Sequence, residues 1–223
     1  MSVTLSEVLT NVAYRLGENN SPTDSSEKAR RINDINSAYR KVILHRNYWF
    51  MEDTDSDTST VSGTASYSLP TDYKDIISLK VGDNYYTFVP ELAVKNEYDK
   101  NNFPYLNYGD SYEWGMNRNF AIYGNEYTLY PTPSSADTVT VRYYSYPEKV
   151  SADSDTFIIP DFYVDCLEAY AYARIMGRKG LDKEMNDGME EFNSVLQSMD
   201  VDDTKRAFTR KSVRPLSPYS LIS

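Results

Sequence analysis

The sequence predicts an α+β protein: a helical bundle formed by N- and C-terminal helices, an inserted antiparallel β-sandwich or barrel-like domain, and an extended C-terminal arm. Three observations predict it. Apolar residues recur at three- and four-residue spacing near both ends of the chain. The middle instead alternates at period two between tight turns. After Val201 no amphipathic pattern holds, and Pro215 and Pro218 disfavour helix. The expected boundaries are 1–51 for the N-terminal helices, 52–150 for the β domain, 151–200 for a C-terminal helix hairpin and 201–223 for the arm.

The first helix is announced by Thr4 and Glu7 at capping-box spacing. Leu5, Val8, Leu9, Val12 and Leu16 then form one stripe, and Gly17 is a natural stop. A polar turn leads to a second helix from about Glu27. Its stripe is Ile32, Ile35, Tyr39, Val42 and Ile43, with Arg30, Arg31, Arg40 and Lys41 mostly outside it. Tyr48, Trp49 and Phe50 close the segment as an aromatic plug better suited to a core than to a ligand site.

Residues 52–66, rich in Ser, Thr, Asp and Gly, read as a loop or weak edge hairpin. Strands are expected at 66–69, 76–81 and 85–89, with Gly82-Asp83-Asn84 turning between the last two. Residues 90–99 suit a short helix, and 101–112 are irregular. Three firmer strands follow at 119–123, 126–130 and 138–144. Gly124-Asn125 joins the first two, and Val139, Val141 and Tyr143 alternate with Thr140, Arg142 and Tyr144 in the third.

Helix resumes at Pro160-Asp161. Phe162, Cys166, Ala169, Ala173 and Met176 make a narrow seam of mostly small residues for close helix packing. Residues 177–180 turn the chain. Met185, Met189, Phe192, Leu196 and Met199 then repeat the pattern.

Composition favours binding over catalysis. The 223 residues include twenty-one tyrosines, fourteen of them between Tyr67 and Tyr146, against one histidine (His45) and one cysteine (Cys166). Tyrosine supplies a rigid apolar face with a polar tip, suited to contact surfaces. So little His and Cys leaves scant material for a metal centre or an activated nucleophile. No nucleophile elbow, P-loop or dinucleotide fingerprint is present. Asp53, Asp55 and Asp57 begin like a calcium loop, but Thr58 stands where Gly belongs and Thr64 where Glu belongs, so a solvated acidic loop is expected. Catalytic, cofactor and metal residues are therefore expected to be none. Thirty-three acidic residues offer many carboxylate pairs for a hydrolase and no way to choose among them. The tyrosine-rich β region leaves open a carbohydrate-binding receptor or tail module. The start lacks a signal peptide's basic and apolar regions, and no apolar run approaches the roughly 20 residues that span a bilayer. Synthesis in the cytoplasm and no membrane partner are expected.

The net charge of -10 is unevenly spread. Residues 204–223 hold five cations (Lys205, Arg206, Arg210, Lys211, Arg214) and no acid, leaving the preceding body at -15. Such a body repels nucleic acid while its tail seeks an acidic surface.

The order of several phrases is familiar. Arg31-Ile32-Asn33 and Ala38-Tyr39 lead to Trp49. Tyr67-Ser68-Leu69-Pro70 precedes Asp72-Tyr73, and Tyr127-Thr128-Leu129-Tyr130 precedes Pro131-Thr132-Pro133. Then come Val139-Thr140-Val141-Arg142-Tyr143-Tyr144-Ser145-Tyr146-Pro147 and Ile159-Pro160. Over residues 3–199 this resembles the head-to-tail adaptor (connector) proteins of tailed bacteriophages. The resemblance implies a virion neck protein without catalytic residues or cofactors. It implies about twelve copies in a ring under the portal, with DNA passing through without sequence-specific binding, and a docking surface for a downstream tail or nozzle protein. For the arm we expect contact with portal or the neighbouring subunit. Phe208, Leu216, Tyr219 and Leu221 would be apolar anchors, and Lys205, Arg206, Arg210, Lys211 and Arg214 would pair with acids.

Overall fold

The computed structural model describes residues 2–20, 22, 24–89 and 118–212, with 207–212 described by backbone alone. It is α+β, with four helices and a curled, mixed seven-stranded sheet among the described residues. The chain divides into two units: Met1–Phe50 with Pro147–Ser223, and Met51–Tyr146.

The first unit holds the helices. Helix α1 (Leu5–Arg15) starts in the expected capping box: the Thr4 hydroxyl accepts from the Glu7 amide, and the Glu7 carboxylate accepts from the Thr4 amide at 2.7 Å. Leu5, Val8, Leu9, Val12 and Ala13 are buried. Helix α2 (Ser25–His45) begins two residues before the expected start, because the Asp24 carboxylate caps it by accepting from the Glu27 amide. The residues ahead of the third helix form a 3-10 turn, Asp161–Tyr163, and α3 runs Asp165–Arg178. The expectation for Phe162 was wrong: in that turn its side chain is exposed instead of joining the seam. Helix α4 occupies Asp182–Ser212.

Helices α3 and α4 run antiparallel along the small-residue seam. A side chain at Gly188 would come within 3.0 Å of the Ala173 Cβ and 3.1 Å of the Ala169 carbonyl oxygen, so glycine is what allows this approach. The Tyr170 and Phe192 rings meet at 5.2 Å beside it. Charged residues on α2 are buried as well. Asp34 accepts two hydrogen bonds from Arg178 and one from Arg174, tying α2 to α3. Arg31, expected outside the buried stripe, is 4% exposed and donates to Glu18 and Glu27. A periodicity argument sees only apolar side chains, so it misses a buried cation that brings its own carboxylates.

The arm expected from Val201 is also corrected. Residues 201–212 continue α4 as helix. Polar and aromatic partners meet the first part of this stretch at Asp202, Asp203 and Arg206. Pro215 and Pro218, with Arg214, Leu216, Tyr219 and Leu221, lie outside the described residues.

The second unit is one sheet in the order β1-β7-β3-β4-β5-β6-β2. The strands are β1 (Glu52–Asp55), β2 (Ser66–Ser68), β3 (Tyr73–Val81), β4 (Asn84–Phe88), β5 (Asn119–Tyr123), β6 (Glu126–Tyr130) and β7 (Val139–Ser145). Gly82 and Gly124 take positive φ (55° and 60°) in the two tight turns, where a Cβ would be strained. The expectation of an antiparallel β domain is corrected in one place: β4 and β5 pair in parallel through Thr87 with Asn119 and Phe88 with Phe120. A parallel pair needs a connection of a dozen or more residues, and the long stretch between Phe88 and Asn119 supplies it. Strand β1 occupies the start of the expected loop and pairs with β7 at the sheet edge. The expected helix at 90–99 and irregular stretch at 101–112 lie outside the described residues.

Alternation places Val139, Val141 and Tyr143 of β7 in the core, with Leu79, Val81, Phe120, Tyr127 and Leu129. Tyr67, Tyr73, Tyr86, Ile76 and Ile122 pack against this cluster.

Candidate interaction surface

A polar and aromatic constellation in the helical unit forms where the end of α4 meets the aromatic plug after α2. Residues 200–206 of α4 hold three aspartates, Asp200, Asp202 and Asp203, and end with Lys205-Arg206. The Tyr48 hydroxyl donates to one oxygen of Asp200 at 3.0 Å, and the His45 Nε2 lies 3.0 Å from the other. Asp203 accepts from the Trp49 amide at 3.2 Å and lies 3.3 Å from the Arg46 guanidinium. The Tyr163 hydroxyl donates to Asp202 at 2.6 Å. Arg206 places its guanidinium carbon 4.1 Å from the centre of the Trp49 ring, a cation–π contact.

Electrostatics follow from this geometry. Burial tends to raise the Asp200 pKa, yet the bonds from His45 and Tyr48 outweigh it and hold the carboxyl below its usual value. The Tyr163 bond does the same for Asp202. Burial, reinforced by the bond to Asp202, pushes the Tyr163 phenol up to about 12. Burial, then the bond to Asp200, raises that of Tyr48. Both phenols stay protonated donors to ionised carboxylates across the ordinary pH range. Neither phenol is poised to move a proton near pH 7.

Sequence reasoning placed Lys205 and Arg206 on a docking arm but missed what they touch. Arg206 stacks on Trp49, and Lys205 lies 3.6 Å from Asp202 within its own helix. Phe208, Arg210 and Lys211 fall on the helical end of α4, where only the backbone is described. The other members of the constellation that sequence reasoning did not single out as site residues are Asp200, Asp203, Tyr48 and Tyr163. The signal for the acids was their cluster immediately ahead of the basic run.

Other candidates resolve into structure. The Cys166 thiol is buried, and desolvation pushes it up to about 12, far from a reactive thiolate. Asp53 and Asp55 accept from nearby backbone amides along β1. Among the described residues no group of His, Cys, Asp and Glu has metal-holding geometry. No helix among them is long and apolar enough to cross a membrane. Among the described β tyrosines, Tyr127 and Tyr143 are core residues and Tyr67, Tyr73 and Tyr86 pack against them, while Tyr85 and Tyr123 stand out at 70% and 76% exposure.

Comparison with known families places the chain as a whole. The family model described as SU10 adaptor protein matches residues 3–216. The chain belongs to the SU10 adaptor protein family. Comparison with curated proteins gives no match. Membership in the SU10 adaptor family agrees with the resemblance to phage head-to-tail adaptors and makes the chain a bacteriophage adaptor, a structural protein. An adaptor of this kind implies a non-enzymatic role, a place in the virion and interaction with portal and tail proteins.

Proposed function

We infer that the chain is a head-to-tail adaptor that closes a ring of about twelve copies beneath the portal. The ring extends the DNA channel and presents a docking surface to a tail or nozzle protein. The observation carrying this reading is the family match, which runs through both units of the chain.

A ring needs heterologous interfaces, one face of a subunit against a different face of its neighbour. The helices of the first unit would pack side by side around the channel, and exposed parts of the β domain (52–150) would meet neighbours or tail. Each interface need bury only roughly 1,000–2,000 Å², because ring closure and simultaneous docking add avidity. A charge of -15 over residues 1–203 suits a lumen that repels the duplex, whereas a basic lumen would hold phosphates by counterion release. The basic end of α4 and residues 213–223 would reach the portal or the next subunit, with Phe208, Leu216, Tyr219 and Leu221 as anchors.

Mass photometry and negative-stain imaging of the purified protein, alone and with portal, test this. The expected result is a ring near twelve times the 25.6 kDa chain mass, formed alone or on the portal. A persistent monomer that ignores portal would refute it. Deleting residues 207–223 is expected to abolish portal attachment; unchanged attachment would remove the arm from the reading.

A further inference from the structure

The geometry points to two oppositely charged flanks of the helical unit as the two halves of one copy-to-copy contact. The basic flank, where α2 meets α3, receives the acidic flank that α4 shares with α1 on a second copy of this chain. Closure of that contact into a ring rests on the proposed function; the pairing of the flanks rests on their charge.

On the basic flank, Asp34 already accepts from both Arg174 and Arg178. Arg30 and Lys41 stand four residues before it and seven after it on α2, so the three share one ridge. Lys41 reaches over the Tyr170 ring at 5.7 Å, and Tyr170, Arg174 and Arg178 form the facing ridge of α3. Four exposed cations thus surround one buried carboxylate, in a chain whose net charge is -10. The nearby Glu18 and Glu27 are taken up by Arg31, and Lys179 adds one more positive charge.

Between α1 and α4 the balance is reversed. Arg15 binds Glu191 at 2.7 Å and lies 3.5 Å from the buried Glu168, and Asp165 acts on the same guanidinium. Asp187 and Glu190 are exposed beside Glu191 on α4, with Lys183 one turn ahead. Four exposed carboxylates therefore meet two cations. At about 100° per residue, Asp165 and Glu168 lie roughly 130° around α3 from Arg174 and Arg178, so the flanks look in different directions. Either flank set against its own copy brings like charges together, whereas the two fit each other head to tail, as a heterologous contact requires. Duplex DNA is the other polyanion that suits the basic flank, but it leaves the acidic flank unmatched.

The test reverses one flank at a time in the full-length chain, at exposed positions outside the Asp34 and Arg15 ion pairs: Arg30→Glu/Lys41→Glu and Asp187→Lys/Glu190→Lys. Sedimentation velocity, with and without portal, should show each variant alone needing on the order of tenfold more protein to assemble than wild type. An equimolar mixture should assemble near the wild-type concentration, because each reversed flank then meets its reversed complement. Variants that assemble alone as readily as wild type, or a mixture no better than its components, overturn the flank contact and leave the ring standing. Unchanged assembly with loss of duplex DNA binding by Arg30→Glu/Lys41→Glu likewise overturns it and assigns the basic flank to DNA. Wild-type dimers or open chains in place of rings, blocked by the same reversals, keep the contact and remove the ring. A wild type that stays monomeric with and without portal overturns both. Should a reversal fail to fold, Arg30→Gln/Lys41→Gln and Asp187→Asn/Glu190→Gln replace it: weaker assembly supports the contact, and unchanged assembly overturns it.

Discussion

Tyr127→Phe should stabilise this protein, against the usual expectation for trimming a buried tyrosine. The Tyr127 ring is fully buried in the β core, stacked on Tyr67 at 5.7 Å. Its hydroxyl is buried without a hydrogen-bond partner among the described residues, and burial raises its pKa. Leaving such a group unsatisfied costs about 1–3 kcal/mol. Deleting one oxygen leaves a void of roughly 15 Å³, which at about 24 cal/mol per Å³ costs some 0.4 kcal/mol. The net gain is about 0.6–2.6 kcal/mol, or roughly 1–10 °C in Tm for a chain of this size. Urea titration read by tyrosine and tryptophan fluorescence measures it, with an unchanged m-value showing that only stability moved. Tyr143→Phe is the matched control: its hydroxyl donates to Asp72 at 3.0 Å, so its loss should cost about 1 kcal/mol. If Tyr127→Phe destabilises as much as Tyr143→Phe, the argument from the unsatisfied hydroxyl is refuted.

Two further outcomes are expected. Burial raises the pKa of Glu168, although the Asn11 amide and Arg15 pull it down. A carboxyl whose folded pKa lies above its unfolded value contributes fully below the unfolded value, and that contribution is lost as pH rises through the folded one. The Tm of Glu168→Gln minus that of wild type should therefore grow as pH is raised from about 4 toward 7; an offset independent of pH would contradict the assignment. Gly188→Val should cost about 2–3 kcal/mol by overpacking α3 against α4, since even a Cβ there comes 3.0 Å from Ala173. Chemical denaturation measures this, and a neutral result would mean the two helices part freely.

Local signals read well from the sequence wherever a few adjacent residues set the outcome. Thr4 and Glu7 cap α1 because the motif closes on itself. Gly124-Asn125 turns β5 into β6 because only a short loop with positive φ joins such strands. Ala169 and Ala173 face Gly188 because small residues at helical spacing form one groove. The misses share a different origin. Arg31 was placed outside the buried stripe because its carboxylates come from Glu18, thirteen residues back, as well as Glu27. The end of α4 was read as extended because its partners, Tyr48, Trp49 and Tyr163, are remote in sequence.

The sequence alone therefore determined which segments are helix and which are strand through most of the chain, and the family to which the protein belongs. Short-range spacing, capping and turn chemistry act within about one helical turn or one hairpin, and that is the range a linear reading can follow. Only the tertiary structure decided the parallel pairing of β4 with β5, the burial of Asp34 between α2 and α3, and the seating of Arg206 on Trp49. Each joins groups separated by tens to more than a hundred residues. A charged side chain chooses burial or solvent by whether such a distant partner arrives, and nothing in its own neighbourhood records the answer.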